Sequence, residues 1–111
     1  MLFKKNPVPA IGVRDAAAGA LTGELELIDV REPRELAEVR VQGARNIPLG
    51  EVGGRLSEFG AGSRVAFLCR SGSRSARAVA AARAAGLDAV NVDGGVIAWA
   101  RANLPLVYDS R

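Results

Sequence analysis

The chain has 111 residues, 49% of them hydrophobic, enough for one compact core and too few for two, so a single domain over residues 1–111 is expected, with its core at about 8–106. Its 15 Lys and Arg exceed its 12 Asp and Glu by a formal charge of +3, but they are scattered rather than gathered in a block, which argues against a nucleic-acid partner. One cysteine and no histidine exclude an intramolecular disulfide, a Cys-x-x-Cys pair, a cysteine-based zinc site and any nucleophile served by an imidazole base, and no metal or cofactor is expected.

In chain order, a polar start at Lys4-Lys5-Asn6-Pro7 reads as a loose end. A helix is expected over residues 14–21, then a buried strand over 25–30, then a helix over 33–39 with Pro33 in its first turn. A weaker strand over 44–47 is ended by Pro48, and a helix over 51–59 is weakened by Gly53-Gly54. The run 65–69 is a second buried strand. The clearest helix follows over 75–85: it is mostly alanine with Val79, has Ser75 near its start and has Gly86 just past its end. A third buried strand covers 89–92, Gly94-Gly95 make a turn, and a last helix runs over about 96–102 before the polar end Asp109-Ser110-Arg111. Strands alternating with helices imply an α/β fold, a mostly parallel sheet with helices on both faces. No run approaches the roughly 18 apolar residues of a membrane span, and residues 1–12 lack the apolar centre of a secretory signal, so a cytoplasmic protein without a membrane partner is expected.

In such a sheet ligands bind beyond the carboxyl ends of the strands, and Cys69 closes one strand directly before a loop and a helix. The loop, Cys69-Arg70-Ser71-Gly72-Ser73-Arg74, has the composition of an anion cradle: Gly72 allows a tight turn, successive N–H groups can point inward, and the helix start at Ser75 adds partial positive charge. A thiol with pKa near 8.5 is only about 3% thiolate at pH 7, so the loop must lower that value if Cys69 is to act as a nucleophile. A helix dipole supplies about 0.3–1 kcal/mol, and one arginine at about 6 Å and an effective dielectric near 20 supplies roughly 2.8 kcal/mol. On that comparison Arg70 or Arg74, pointing inward, is expected to dominate. A lone cysteine ending a strand is ordinarily a small apolar core residue, but core packing gives no reason for Arg-Ser-Gly-Ser-Arg directly after it.

The segment Cys-Arg-Ser-Gly-Ser-Arg-Ser resembles the active-site loop of the rhodanese family. Three further segments resemble that family's motifs in order: Leu27-Ile28-Asp29-Val30-Arg31-Glu32-Pro33, Gly43-Ala44-Arg45-Asn46-Ile47-Pro48 and Asp93-Gly94-Gly95-Val96-Ile97-Ala98-Trp99. The resemblance implies a rhodanese-like fold and sulfur transfer through a persulfide on Cys69, with Arg70, Ser71, Gly72, Ser73 and Arg74 binding the substrate and Ser75, Asp29 and Arg31 supporting the loop. It implies a small anionic sulfur donor such as thiosulfate, a thiol or cyanide acceptor, and room for a protein sulfur donor or acceptor. The family often carries a histidine where this chain has Arg40, a departure that leaves the chemistry untouched because that histidine takes no part in it. Asn46, Trp99 and Gly94-Gly95 read as packing and turn residues. Two other readings compete: a sulfur-carrier or protein-interaction module with little turnover, and a cysteine phosphatase or arsenate reductase. The second is disfavoured because four residues separate Cys69 from Arg74 where the phosphatase signature has five.

Overall fold

The computed structural model describes residues 7–60 and 62–108. The loose ends expected at Lys4-Lys5-Asn6 and Asp109-Ser110-Arg111 lie outside the described residues. The chain runs β1 (Ala10–Ile11), α1 (Val13–Thr22), β2 (Leu25–Asp29), α2 (Pro33–Glu38), β3 (Val39–Val41), β4 (Arg45–Asn46), α3 (Leu49–Val52), a 3-10 turn (Gly53–Glu58), β5 (Arg64–Leu68), α4 (Ser73–Ala84), β6 (Asp88–Val92), α5 (Gly95–Arg101) and β7 (Leu106–Tyr108).

The three apolar runs become the centre of a five-stranded sheet ordered β1-β6-β5-β2-β4, with every neighbouring pair parallel. They show no polar alternation because both faces are covered. Side chains on β5 alternate between two cores. Val65 and Phe67, with Cys69 just beyond the strand, pack beneath α4 (Ala78, Val79, Ala82) and the α3 side (Val52, Phe59). Ala66 and Leu68 face α1 (Ala16) and α5 (Val96, Trp99) on the other side. Phe59 meets Phe67 edge to face, ring centroids 6.1 Å apart. The alanines of α4 keep that helix close to the sheet, and the short loop from Cys69 to its first turn depends on this closeness.

The elements differ from the sequence expectation at their edges. The helix expected over 33–39 ends at Glu38: Val39 is extended (φ −152°, ψ 136°) and opens β3, which pairs antiparallel with β7. The helix expected over 51–59 begins two residues earlier, after Pro48, and tightens into the 3-10 turn at Gly53-Gly54, where helix propensity is lowest. Helix α4 starts at Ser73 rather than Ser75. Strands β1, β3 and β7, of two or three residues, carry too few side chains to show a period. Among the described residues no helix is long and apolar enough to cross a membrane.

Candidate active site

The parallel ladder brings the ends of β2, β5 and β6 to one edge, where Asp29 pairs in register with Leu68 and Asn91 with Phe67. Cys69 follows Leu68 at this edge and is 1% exposed. The chain then turns through Gly72, whose φ of 112° is one that side-chain-bearing residues rarely adopt. The turn folds the start of α4 back over the sulfur. The N–H of Gly72 lies 3.1 Å from Cys69 Sγ, the N–H of Ser75 3.4 Å and the Ser75 hydroxyl 3.3 Å. The outer side of the loop is tied down by α5: the N–H of Val96 donates to Cys69 O at 2.9 Å and that of Ile97 to Arg70 O at 3.1 Å. A trans peptide points its N–H opposite its C=O, so fixing the Arg70 carbonyl on α5 turns the Ser71 N–H toward the sulfur, where it joins the Gly72 and Ser75 donors.

Burial pushes the Cys69 thiol up, but hydrogen bonds from the Ser75 hydroxyl and from the N–H groups of Ser75, Gly72 and Ser71 together hold it below its ordinary value. Hydrogen bonding thus carries the shift where the Coulomb estimate favoured arginine. The reason is geometric. Arg74 directs its guanidinium to Glu35 of α2 in a bidentate pair, Nη1 to Oε2 at 2.8 Å and Nη2 to Oε1 at 2.9 Å. The Arg74 charge is therefore offset by a carboxylate, whose own pKa the Arg74 bond lowers to about 2. Arg70 is exposed, as are Ser71 and Ser73, and among the described residues the Arg70 side chain makes no hydrogen bond.

Asp29 and Arg31 form a buried pair at the same edge of the sheet, 0% and 3% exposed. Arg31 Nε and Nη2 donate to Asp29 Oδ2 at 3.0 and 2.8 Å, and Nη2 also reaches Val39 O at 2.8 Å. Asn46 donates its amide to the carbonyls of Asp29 and Arg31, both at 2.9 Å, and Trp99 Nε1 donates to Pro105 O, so these two residues are bracing and packing groups.

Two residues at the site were not singled out in the sequence. Glu35, at the third position of α2, also accepts from the N–H of Glu32 in a capping box. Asn91 of β6 is 9% exposed; it donates Nδ2 to Gly72 O at 3.0 Å and accepts the Ser75 hydroxyl at 2.6 Å. Its one signal in the sequence is a polar side chain inside the otherwise apolar run Ala89-Val90-Asn91-Val92. Among the described residues no group of three or more His, Cys, Asp or Glu side chains is placed to hold a metal ion.

A parallel sheet with the cysteine at its carboxyl edge, in a short N–H-lined loop before a helix, is the architecture of rhodanese-like proteins. The rhodanese-like domain model matches residues 13–102, and the chain belongs to that family. It is 39% identical over 87 residues to a sulfurtransferase of Allochromatium vinosum, spanning 78% of this chain and 81% of that one. It is 36% identical over 76 residues to the putative sulfur carrier protein YrkF of Bacillus subtilis, spanning 68% of this chain and 41% of that one. The crystal structure of a rhodanese-related protein from Thermoplasma volcanium matches it with a TM-score of 0.80 at 30% identity, over 89% of this chain and 97% of that one. This kinship supports sulfur transfer as the general activity.

Proposed function

We propose that the protein is a single-domain sulfurtransferase that takes sulfane sulfur from thiosulfate or a related anionic donor onto Cys69 and passes it to a thiol or cyanide. The observation that carries this reading is the placement of Cys69 Sγ within reach of the Gly72 and Ser75 N–H groups and the Ser75 hydroxyl. These donors favour the thiolate. The thiolate attacks the outer sulfur of thiosulfate, the S–S bond breaks, sulfite leaves with the bonding pair, and Cys69 holds a persulfide anion. Cyanide or a thiolate then attacks the outer sulfur and Cys69 returns as thiolate. No proton transfer is required in either half, in keeping with a chain that has no histidine.

In this reading the N–H groups of the loop from Arg70 to Arg74 hold the outer sulfur, Arg70 draws anionic donors to the mouth, and Ser75, Asp29 and Arg31 keep the loop in shape. The four-residue spacing between Cys69 and Arg74, one fewer than in the phosphatase signature, supports sulfur over phosphate, because a shorter loop makes a smaller N–H cradle. A second reading, sulfur carriage between protein partners with little turnover of thiosulfate, is favoured by the likeness to a putative sulfur carrier protein.

A thiosulfate–cyanide assay together with intact-mass analysis tests both readings. Wild type should gain one sulfur from thiosulfate and release thiocyanate, and Cys69→Ser should do neither while keeping its fold. A mutant that still gained sulfur would overturn the assignment to Cys69. Loading only from a protein donor, without thiosulfate turnover, would select the carrier reading.

A further inference from the structure

Behind the Cys69 sulfur, Ser75 is paired with Asn91, a residue to which the sulfur-transfer chemistry gives no part. Ser75 is 0% exposed and lies against a thiol that is itself 1% exposed, and Asn91, 9% exposed, reaches Ser75 and not the sulfur. Asn91 Nδ2 donates to Gly72 O, which can only accept, so Oδ1 is the atom facing Ser75. Oδ1 also can only accept, so the Ser75 hydroxyl donates to it, at 2.6 Å. Yet the same Oγ stands 3.3 Å from Cys69 Sγ, and a serine hydroxyl has one hydrogen. It cannot be given to Asn91 and to the sulfur at once.

We propose that Asn91 is a positioning residue that competes with the Cys69 sulfur for the single hydroxyl hydrogen of Ser75, holding it when the sulfur is a thiol or a persulfide and yielding it when the sulfur is a thiolate. In the thiol, the S–H points to a lone pair of Ser75 Oγ while the hydroxyl donates to Asn91, so every hydrogen is used. On ionisation the thiol proton leaves to solvent, the sulfur becomes a charged acceptor, and a charge-assisted bond outcompetes a neutral amide. The hydroxyl hydrogen stays covalently on Oγ throughout and only rotates. After sulfur loading the charge resides on the outer sulfur, the inner sulfur is a weak acceptor, and Ser75 turns back to Asn91. The bond that the thiolate gives up on loading is thus recovered at Asn91, which favours the forward step. The inference rests on Cys69 being the reacting thiol, as proposed above.

The charged groups on the segments that flank this thiol are Arg74 of α4 with its partner Glu35 of α2, Asp29 at the end of β2 with its partner Arg31, Arg70 of the loop itself, and Asp93, which follows β6 in the chain. A double-mutant cycle removes their contribution, together with any loosening of the loop when the Gly72 carbonyl loses its donor, since both are the same in each arm. Alkylation rate against pH would be measured for wild type, Asn91→Ala, Ser75→Ala and the double variant. Without Asn91 the hydroxyl is free to serve the thiolate, so Asn91→Ala should raise the thiol's apparent pKa less when Ser75 is present than in the Ser75→Ala background. The expected non-additivity is about threefold in rate at pH 7. Equal shifts in the two backgrounds, or a larger shift with Ser75 present, would overturn the proposal.

If Asn91→Ala does not fold, the unmodified protein still answers. The side-chain carbonyl carbon of Asn91, followed by NMR with ¹³C-labelled asparagine, should titrate together with Cys69 and return on loading with sulfur, and its excursion should shrink in Ser75→Ala. A carbonyl signal indifferent to the Cys69 titration overturns the proposal. Alkylation requires no persulfide, so a protein that showed the coupling but took no sulfur from any donor would refute the proposed function and leave the role of Asn91 standing.

Discussion

Helices α4 and α5 begin the same way and are used for opposite ends. Each starts after a glycine in the left-handed region, Gly72 at φ 112° and Gly94 at φ 77°, and neither has a side-chain cap on its first N–H groups. At α4 the free donors, Gly72 N–H and Ser75 N–H, turn to the Cys69 sulfur. At α5 the donors of Val96 and Ile97 are consumed by the carbonyls of Cys69 and Arg70. A helix start therefore becomes a reactive site or a brace according to what stands opposite it. Here the brace supports the site, because tying the Arg70 carbonyl outward directs the Ser71 N–H inward and anchors the loop that carries the Gly72 donor.

The comparison breaks most readily on the bracing side. A Cβ at Gly95 would lie 2.2 Å from Cys69 O and 2.7 Å from Arg70 O, on a residue with φ of 56°. Gly95→Ala should destabilise the fold by roughly 2–5 kcal/mol and remove most sulfur loading, because α5 must retreat and release the loop. Urea unfolding and intact-mass loading measured together would check it. Full stability with full loading would show that α5 does not hold the loop.

On the reactive side, Ser75→Ala removes the hydroxyl that does most to lower the thiol's pKa. Alkylation at pH 7 should slow by roughly tenfold, with the rate recovering at high pH where the thiol ionises unaided. Arg74→Gln, by contrast, should move the alkylation profile less than Ser75→Ala does, because Glu35 already offsets that charge. The reverse order would restore arginine as the chief activator.

The tie between α2 and the loop gives a smaller effect. The folded Glu35 carboxyl is held at about 2 against an ordinary 4.5. Its pairing with Arg74 therefore stabilises the fold fully above about pH 4.5 and is lost as pH falls through about 2. Both partners are partly exposed, so the contribution is about 1 kcal/mol. Glu35→Gln should be less stable than wild type by that amount at pH 6, and the two proteins should converge as pH approaches 2. A difference that stayed constant with pH would mean that the ion pair contributes nothing.

The smallest effect belongs to Arg70, which lies outside the cradle. Arg70→Ala should raise KM for thiosulfate about threefold at low salt, less at high salt, and leave alkylation by neutral iodoacetamide almost unchanged. An equal loss in both assays would place Arg70 in the activation of the thiol instead.

The sequence determined the fold class and the location of the site. Short, mostly apolar runs at β2, β5 and β6, each bounded by turn residues, read as strands covered on both faces, and an alanine-rich segment between Gly72 and Gly86 reads as a closely packed helix. The cysteine between such a strand and such a helix must then lie at the sheet's carboxyl edge. Local sequence also contained the glycine turn and the serines of the loop. It could not assign the arginines: whether Arg74 points at Cys69 or away depends on Glu35, 39 residues earlier, which reaches it only when α2 docks beside α4. Nor could it find Asn91, whose amide meets Gly72 and Ser75 only because β6 pairs with β5 in one particular register. The strands β3 and β7 were hidden for the same reason, since Val39–Val41 and Leu106–Tyr108 are extended only because they have each other. Apolar periodicity and turn chemistry act within a few residues and can be read along the chain. Pairing partners and the direction of a long charged side chain are contacts between distant segments, and only the tertiary structure decides them.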